Sequence, residues 1–168
     1  MLEFREVTSE NELNILCEMK VELMDYLVQY ANKFNIQDDE LMKYSMEQAL
    51  STIHQRVNYL IFLNEEPVGM SQIQEQISDV DNRPILFVHS LYIKPLIQKR
   101  GIGGKYLRYL CRKYNKRIEI ECWYDIPAKS LYERAGFLPM MTRYVLPTDN
   151  RFMAQTKTEY PNKENHVL

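Results

Sequence analysis

Residues 98 to 104 read Gln-Lys-Arg-Gly-Ile-Gly-Gly, set between a strand-like run, Ile85 to Ile93, and an amphipathic helix that begins near Gly103. Glycines admit φ > 0 and let a backbone approach an anion closely. The unpaired amides of a helix start point at negative charge with the macrodipole behind them. Strand, glycine turn and helix in that order imply a mixed α/β chain with a phosphate cradle, and a pyrophosphate is the expected occupant.

Spacing narrows which cradle this is. A dinucleotide fingerprint from Gly101 and Gly103 needs a third glycine where Tyr106 stands, and a P-loop ending in Gly104-Lys105 needs Ser or Thr at 106 and Gly at 99. What remains is Gln/Arg-x-x-Gly-x-Gly/Ala, preceded by Leu91-Tyr92-Ile93-Lys94-Pro95. About thirty residues downstream stands Asp125-Ile126-Pro127-Ala128-Lys129-Ser130-Leu131-Tyr132-Glu133-Arg134-Ala135-Gly136-Phe137. In these two motifs, in this order, the chain resembles the GNAT N-acetyltransferase superfamily. The resemblance covers roughly residues 58–146; the first 57 residues match only in general layout.

The resemblance implies a GNAT-like α/β fold, a mixed and mostly antiparallel sheet of about six to seven strands with helices on both faces. It implies acetyl-CoA as co-substrate and no metal. Leu91, Tyr92 and Ile93 would offer main-chain groups to the pantetheine. Gln98, Lys99, Arg100, Gly101, Ile102, Gly103 and Gly104 would surround the pyrophosphate, and Ala128, Ser130 and Tyr132 would line the arm. Asp125 departs from the family's Asn and reads partly as a helix N-cap.

Length and charge set outer bounds. At 168 residues the chain is expected to form one domain over 1–146, followed by a polar, aperiodic extension, 147–168, that reads as an oligomer-contact tail. Cys17, Cys111 and Cys122 lack metal-ligand spacing and lie in apolar-patterned segments, so they are expected as reduced core residues. That suits the cytoplasm, and no leader-like or membrane-length apolar run is present. The net charge is −2, but residues 1–81 hold sixteen acids against five bases, and residues 82–118 hold ten bases and no acid. The basic block would supply the field that CoA phosphates require. Lys99, Arg100 and Lys105 are its best cofactor candidates; Arg112, Lys113, Lys116 and Arg117 read better as a solvated helix face.

Along the chain, Phe4 to Val7 is expected as a first strand, and Ser9 with Glu12 makes a capping box. A helical stripe then runs from Leu13 to about Tyr30. A second helix is expected from Asp38 or Asp39, with Met42, Met46, Ala49, Leu50 and Ile53 on one face. Tyr59 to Leu63 and Pro67 to Ile77 flank a short turn and read as a hairpin. Arg117 to Cys122 reads as a strand, Pro127 to Ala135 as a helix stopped by Gly136, and Leu138 to Leu146 as a last strand.

Acyl transfer to an amine requires a held thioester, a neutral amine and a proton for the departing thiolate. An alkylamine of pKa near 10.4 is neutral at pH 7 at a cost of about 4.6 kcal/mol, so a proton acceptor is useful. His89 is the candidate base, because alternation places it on the side of Leu91 and Ile93; a histidine hydrogen-bonded within the sheet is the alternative. Glu75 is the fallback. Tyr132 matches the family tyrosine that protonates departing CoA; a core tyrosine is the alternative.

The acceptor is weakly encoded. Tyr26, Tyr30, Glu75, Trp123 and Tyr124, with Asp25, Phe34, Asp38, Asp39 and Glu40 nearby, suit a primary amine on a small molecule or peptide, cationic by this count. The expected activity is acetyl transfer from acetyl-CoA to that amine, directly in a ternary complex. A catalytically silent acetyl-CoA sensor is the first alternative. Nucleic-acid binding through residues 83–117 ranks below it, since no base-reading module is visible. A homodimer is only the default for a small soluble enzyme.

Overall fold

The structure is a computed structural model that describes residues 1–31, 47, 51–122 and 126–140, with backbone alone for 29–31. Strand β1 (Leu2–Glu6) leads through a capping turn into helix α1 (Glu10–Ala31). The Ser9 hydroxyl accepts the Glu12 N–H at 3.3 Å, and the Glu12 carboxylate accepts the N–H groups of Thr8 and Ser9 at 3.1 and 3.2 Å. Those bonds, the one from Thr8 first, lower the Glu12 pKa. The capping box is thus present as expected, with β1 two residues earlier than expected.

A short 3-10 turn (Ile53–Gln55) precedes β2 (Val57–Leu63), which turns directly into β3 (Glu66–Ile77). Asn64 and Glu65 carry φ of 52° and 72°, the left-handed pair of a type I′ hairpin whose twist matches its strands. Strand β4 (Pro84–Ile93) is followed by a 3-10 turn (Pro95–Ile97), helix α2 (Ile102–Tyr114), strand β5 (Ile118–Ile120) and helix α3 (Ala128–Arg134). Gly136, at φ 93°, ends α3 with the Phe137 N–H closing back onto the Tyr132 carbonyl at 3.0 Å.

The strands form one sheet in the order β1-β2-β3-β4-β5, antiparallel except for the parallel β4–β5 pair. Five strands are described, fewer than the six to seven expected. Residues 138–140 of the expected last strand carry no strand hydrogen bonds, and 141–146 lie outside the described residues. The expected second helix falls mostly outside them too, as does the 147–168 extension. Of that helix's apolar set, Ile53 is buried, in the 3-10 turn.

Each face of the sheet has its own core. Under α1, Leu16, Met19, Leu23 and Met24 pack on Leu60, Phe62, Met70 and Tyr92. Under α2, Ile102, Tyr106 and Leu110 pack on Tyr59, Ile61, Ile73, Leu86 and Val88. Each aliphatic side chain so buried contributes about 1.5–3 kcal/mol. The cysteines correct the sequence reading: Cys17 is half-buried, while Cys111 and Cys122 are exposed. The buried rows of α2 end at Leu110, one residue short of Cys111.

Two irregularities in β4 position everything that follows. Gln72 pairs with Ser90 but Ile73 with Val88, so His89 is an extra residue that β3 does not match. This bulge inverts the alternation. Before it, Leu86 and Val88 point into the α2 core; after it, Tyr92 points into the α1 core. The β4–β5 ladder, moreover, covers only Leu86 to Val88 against Ile118 to Ile120. Beyond Val88 the two strands part.

Candidate functional site

The glycine loop is held by its own geometry. Lys99 (φ 62°) and Gly101 (φ 76°) both take left-handed conformations, and Gly101 caps α2 without any side-chain cap. The first helical bond is from the Lys105 N–H to the Gly101 carbonyl at 3.0 Å. The N–H groups of Ile102, Gly103 and Gly104 therefore have no acceptor within the helix. A Cβ at Gly101 would meet nothing within 4 Å, so glycine is required there by φ and not by space. Gly103 is different: a Cβ there would lie 2.8 Å from Leu131 Cδ2, so this glycine lets α3 pack on the first turn of α2.

Several expected cofactor residues have other tasks. Gln98 donates from Nε2 to the Ile93 carbonyl at 2.9 Å, tying the loop back to the end of β4. Tyr92 turns its side chain under α1 and donates to Glu22 at 2.9 Å, leaving only its backbone for the cleft. Ser130 donates to the Pro127 carbonyl at 3.0 Å and braces the start of α3. Ala128 is half-buried beside it, and Lys99, Arg100 and Lys105 are exposed around the loop.

Part of the basic block is engaged within the fold. Lys113 pairs with Glu6 at 3.3 Å, Arg117 with Asp81 and Glu119 at 2.6 Å each, and Lys116 with Glu75. These residues, read from sequence as a solvated face, tie the end of α2 and its following turn to neighbouring segments.

The place where β4 leaves β5 is the candidate cleft. From His89 to Ile93 the outer edge of β4 has no strand partner among the described residues. Tyr132 on α3 is 8% exposed, its ring centroid 5.8 Å from that of Phe137. Burial first, and the neighbouring Cys122 second, push its pKa up, so the phenol is protonated at neutral pH. Its hydroxyl makes no hydrogen bond among the described residues. Trp123, Tyr124 and Asp125 lie outside those residues, as does the side chain of Tyr30. Tyr26 is half-buried on α1.

His89 does not share the side of Leu91 and Ile93. The bulge puts it with Phe87, whose ring centroid is 4.8 Å from its own, on the α1 side. Its Nε2 lies 3.0 Å from Gln74 Oε1; an amide oxygen only accepts, so Nε2 carries the proton and Nδ1 keeps a free lone pair. Burial, then Arg56, then Lys20 pull its pKa down to about 4, well below the ordinary 6.5 on which the sequence reading relied. Glu75 stands apart from it. It faces the other side of β3 and is held by Lys116, away from His89.

The structure adds a set of residues that sequence reasoning missed. Two polar rows cross the sheet beneath α1. In one, Ser90 donates to Gln72 at 3.2 Å, Gln72 donates to Asn58 at 3.0 Å, and Asn58 donates to the Ile53 carbonyl at 2.8 Å. In the other, Arg56, one residue before β2, falls in register with Gln74 and, through it, His89. Lys20 lies in the sheet-facing stripe of α1 above them. The available signals were Gln72 and Gln74 inside an otherwise apolar strand and a lysine at a core position of the α1 stripe.

Among the described residues no helix is long and apolar enough to cross a membrane, and no group of three His, Cys, Asp or Glu side chains could hold a metal. The sequence model of the acetyltransferase (GNAT) family matches residues 22–137. No curated protein matches the chain. Among solved structures, a candidate acetyl transferase of Pyrococcus furiosus is 20% identical at a TM-score of 0.68, over 86% of this chain and 99% of that one. An aminoglycoside 6'-N-acetyltransferase, AAC(6')-IG of Acinetobacter haemolyticus, is 13% identical at 0.57, over 86% and 96%. AAC(6')-Iy, solved with a bisubstrate analog, CoA-S-monomethyl-acetylneamine, is 10% identical at 0.58, over 87% and 97%. At these identities the likeness is one of fold.

Proposed function

The chain belongs to the acetyltransferase (GNAT) family, and from that premise we propose that it transfers the acetyl group of acetyl-CoA to a primary amine, directly, in a ternary complex. The observation that carries this reading is the parting of β4 from β5 just beyond Val88, together with the start of α2, which has no side-chain cap, and Tyr132 on α3, the helix whose Leu131 packs on that first turn. The residues present suit CoA: three helix-start N–H groups without acceptors, an open glycine turn, and exposed Lys99, Arg100 and Lys105.

Acetyl-CoA, when bound, supplies the acyl group already activated as a thioester. Ile102, Gly103 and Gly104 hold its pyrophosphate through their N–H groups, and the free edge of β4 from His89 to Ile93 orients the pantetheine as a strand would. Tyr132, kept protonated by burial, donates its proton to the departing thiolate sulfur. His89, kept neutral, offers Nδ1 to the proton that the attacking amine must shed, directly or through one water. Aminoglycosides are one acceptor class to sample, since two fold relatives are named for them.

The test follows thiol release from acetyl-CoA across polyamines, aminoglycosides, arylalkylamines, amino acids and lysine peptides, with calorimetric cofactor binding on the same sample. Turnover with one amine class supports the reading. Binding without turnover favours the sensor alternative, and no binding overturns both.

A further inference from the structure

The α1 side of the sheet carries a buried Lys20 and a half-buried Arg56 that no carboxylate among the described residues neutralises. Lys20 sits among Leu16, Met19, Leu23 and Met24 and is 8% exposed. Arg56 continues the strand face of Asn58 and Leu60, and its Nε is buried without a hydrogen-bond partner. Of the described carboxylates, Glu22 accepts from the Tyr92 hydroxyl at 2.9 Å, and Glu75 lies across the sheet, paired with Lys116. Among the described residues neither Lys20 nor Arg56 has an acidic partner.

Buried lysine and arginine are rare unless paired, because a desolvated charge costs more than any hydrogen bond returns. Burial and the nearby Arg56 pull the Lys20 pKa down to about 8, which leaves it still mostly charged at neutral pH. A leucine at this position of the stripe would fill the core without that cost. Both cations are close enough to act on His89, and Arg56 on Lys20, beside the polar rows that end at Ser90 and His89 on the bulge. Among the described residues no carboxylate closes this arrangement.

We propose that Lys20 and Arg56 bind a carboxylate on the acceptor, so that the substrate is an amine that also bears a carboxylate, its amino group turned toward His89. This rests on the acetyltransferase reading and specifies its substrate. It replaces the cationic acceptor expected from sequence with a zwitterionic one. The arrangement also couples binding to chemistry. Among the described residues the charged groups that act on His89 are Lys20 from α1 and Arg56 from before β2; β3 presents Gln72 and Gln74, and Glu22 on α1 is held by the Tyr92 hydroxyl. A carboxylate between Lys20 and Arg56 offsets the two fields that depress His89, so the correct acceptor strengthens its own base.

The experiment compares each amino acid with its decarboxylated amine and its amide: phenylalanine with phenethylamine and phenylalaninamide, lysine with cadaverine and lysinamide. The acid is expected to lead in kcat/KM by about tenfold or more, and Lys20→Met or Arg56→Gln to bring the ratio toward one. Turnover that favours the amine or the amide overturns the carboxylate site and leaves the acetyltransferase reading standing. If no amine turns over, that reading fails separately, and the site is read by NMR. Acetate at constant ionic strength should raise the His89 imidazole pKa by about one unit or more, with His89→Gln assigning the signal. An imidazole indifferent to acetate overturns the proposal without any variant.

Discussion

The two faces of the sheet are built from the same strands and obey different rules. Under α2 the side chains of β2, β3 and β4 are almost all apolar or aromatic: Tyr59, Ile61, Ile73, Leu86 and Val88 meet Tyr106 and Leu110. Under α1 an apolar half around Leu60, Phe62 and Met70 gives way to amides, a histidine and two cations, Lys20 and Arg56, without an acidic partner among the described residues. The dry face fixes strand order and places α2 and its loop. The wet face keeps donors and acceptors oriented where solvent is scarce, which suits a site and is a poor way to stabilise a core. The bulge at His89 is what lets one strand serve both.

The largest effect separates the faces with neighbouring residues of one strand. Ile73 is fully buried on the dry face, and Ile73→Asn leaves a void and an unpaired amide, with an expected loss of about 3–5 kcal/mol. Gln72→Leu, on the wet face, should cost only about 1–2 kcal/mol, the penalty of leaving Asn58 and Ser90 without their shared partner. Urea denaturation of both variants checks the ranking. Equal losses would mean that the amide row is as structural as the apolar core. Activity should rank the other way among molecules that remain folded, with Gln72→Leu the more impaired.

Tyr132 tests the side of the cleft next to α2. Tyr132→Phe removes the proton donor and keeps the ring packed near Phe137, so kcat should fall about a hundredfold while acetyl-CoA affinity measured by calorimetry stays within about threefold. A smaller penalty attaches to the loop. Gly101→Val forces a β-branched residue to φ 76°, a strain of about 1–2 kcal/mol, and should appear as about a tenfold loss of acetyl-CoA affinity with little change in acceptor KM.

The difference between the regions also decides what could be read without coordinates. The cradle is made of backbone, and backbone conformation is written locally: a turn at Gly101 needs glycine, and a motif of seven residues carries it. The capping box, the hairpin turn and the Gly136 stop were legible for the same reason. The wet face is made of side chains from four elements, and its assembly depends on one extra residue in β4 that composition does not mark. Strict alternation put His89 with Leu91 and Ile93; the bulge moved it across the sheet. It likewise gave Glu75 no reason to be excluded, because its partner, Lys116, lies 41 positions away.

The pH dependence of stability is the most selective test, because the two faces respond oppositely to alkali. Lys20 has a folded pKa of about 8 against an ordinary 10.5. Between those values the unfolded chain holds the proton more firmly, so stability rises as pH increases through that window. His89, at about 4 against 6.5, acts in the same sense: stability is unaffected above about pH 6.5 and falls as pH drops toward 4. The buried Tyr59 and Tyr106 work against Lys20. Burial raises their pKa values, so above about pH 10 the unfolded chain loses protons that the folded one keeps, and stability falls. Denaturation midpoints from pH 4 to 11 should therefore climb gently after pH 8 and turn down beyond about 10. Lys20→Met should abolish the climb and spare the downturn, and His89→Gln should flatten only the acidic slope. A climb that survives Lys20→Met would mean that the α1 face neutralises this lysine within the fold, and the contrast between the faces would lose its electrostatic half.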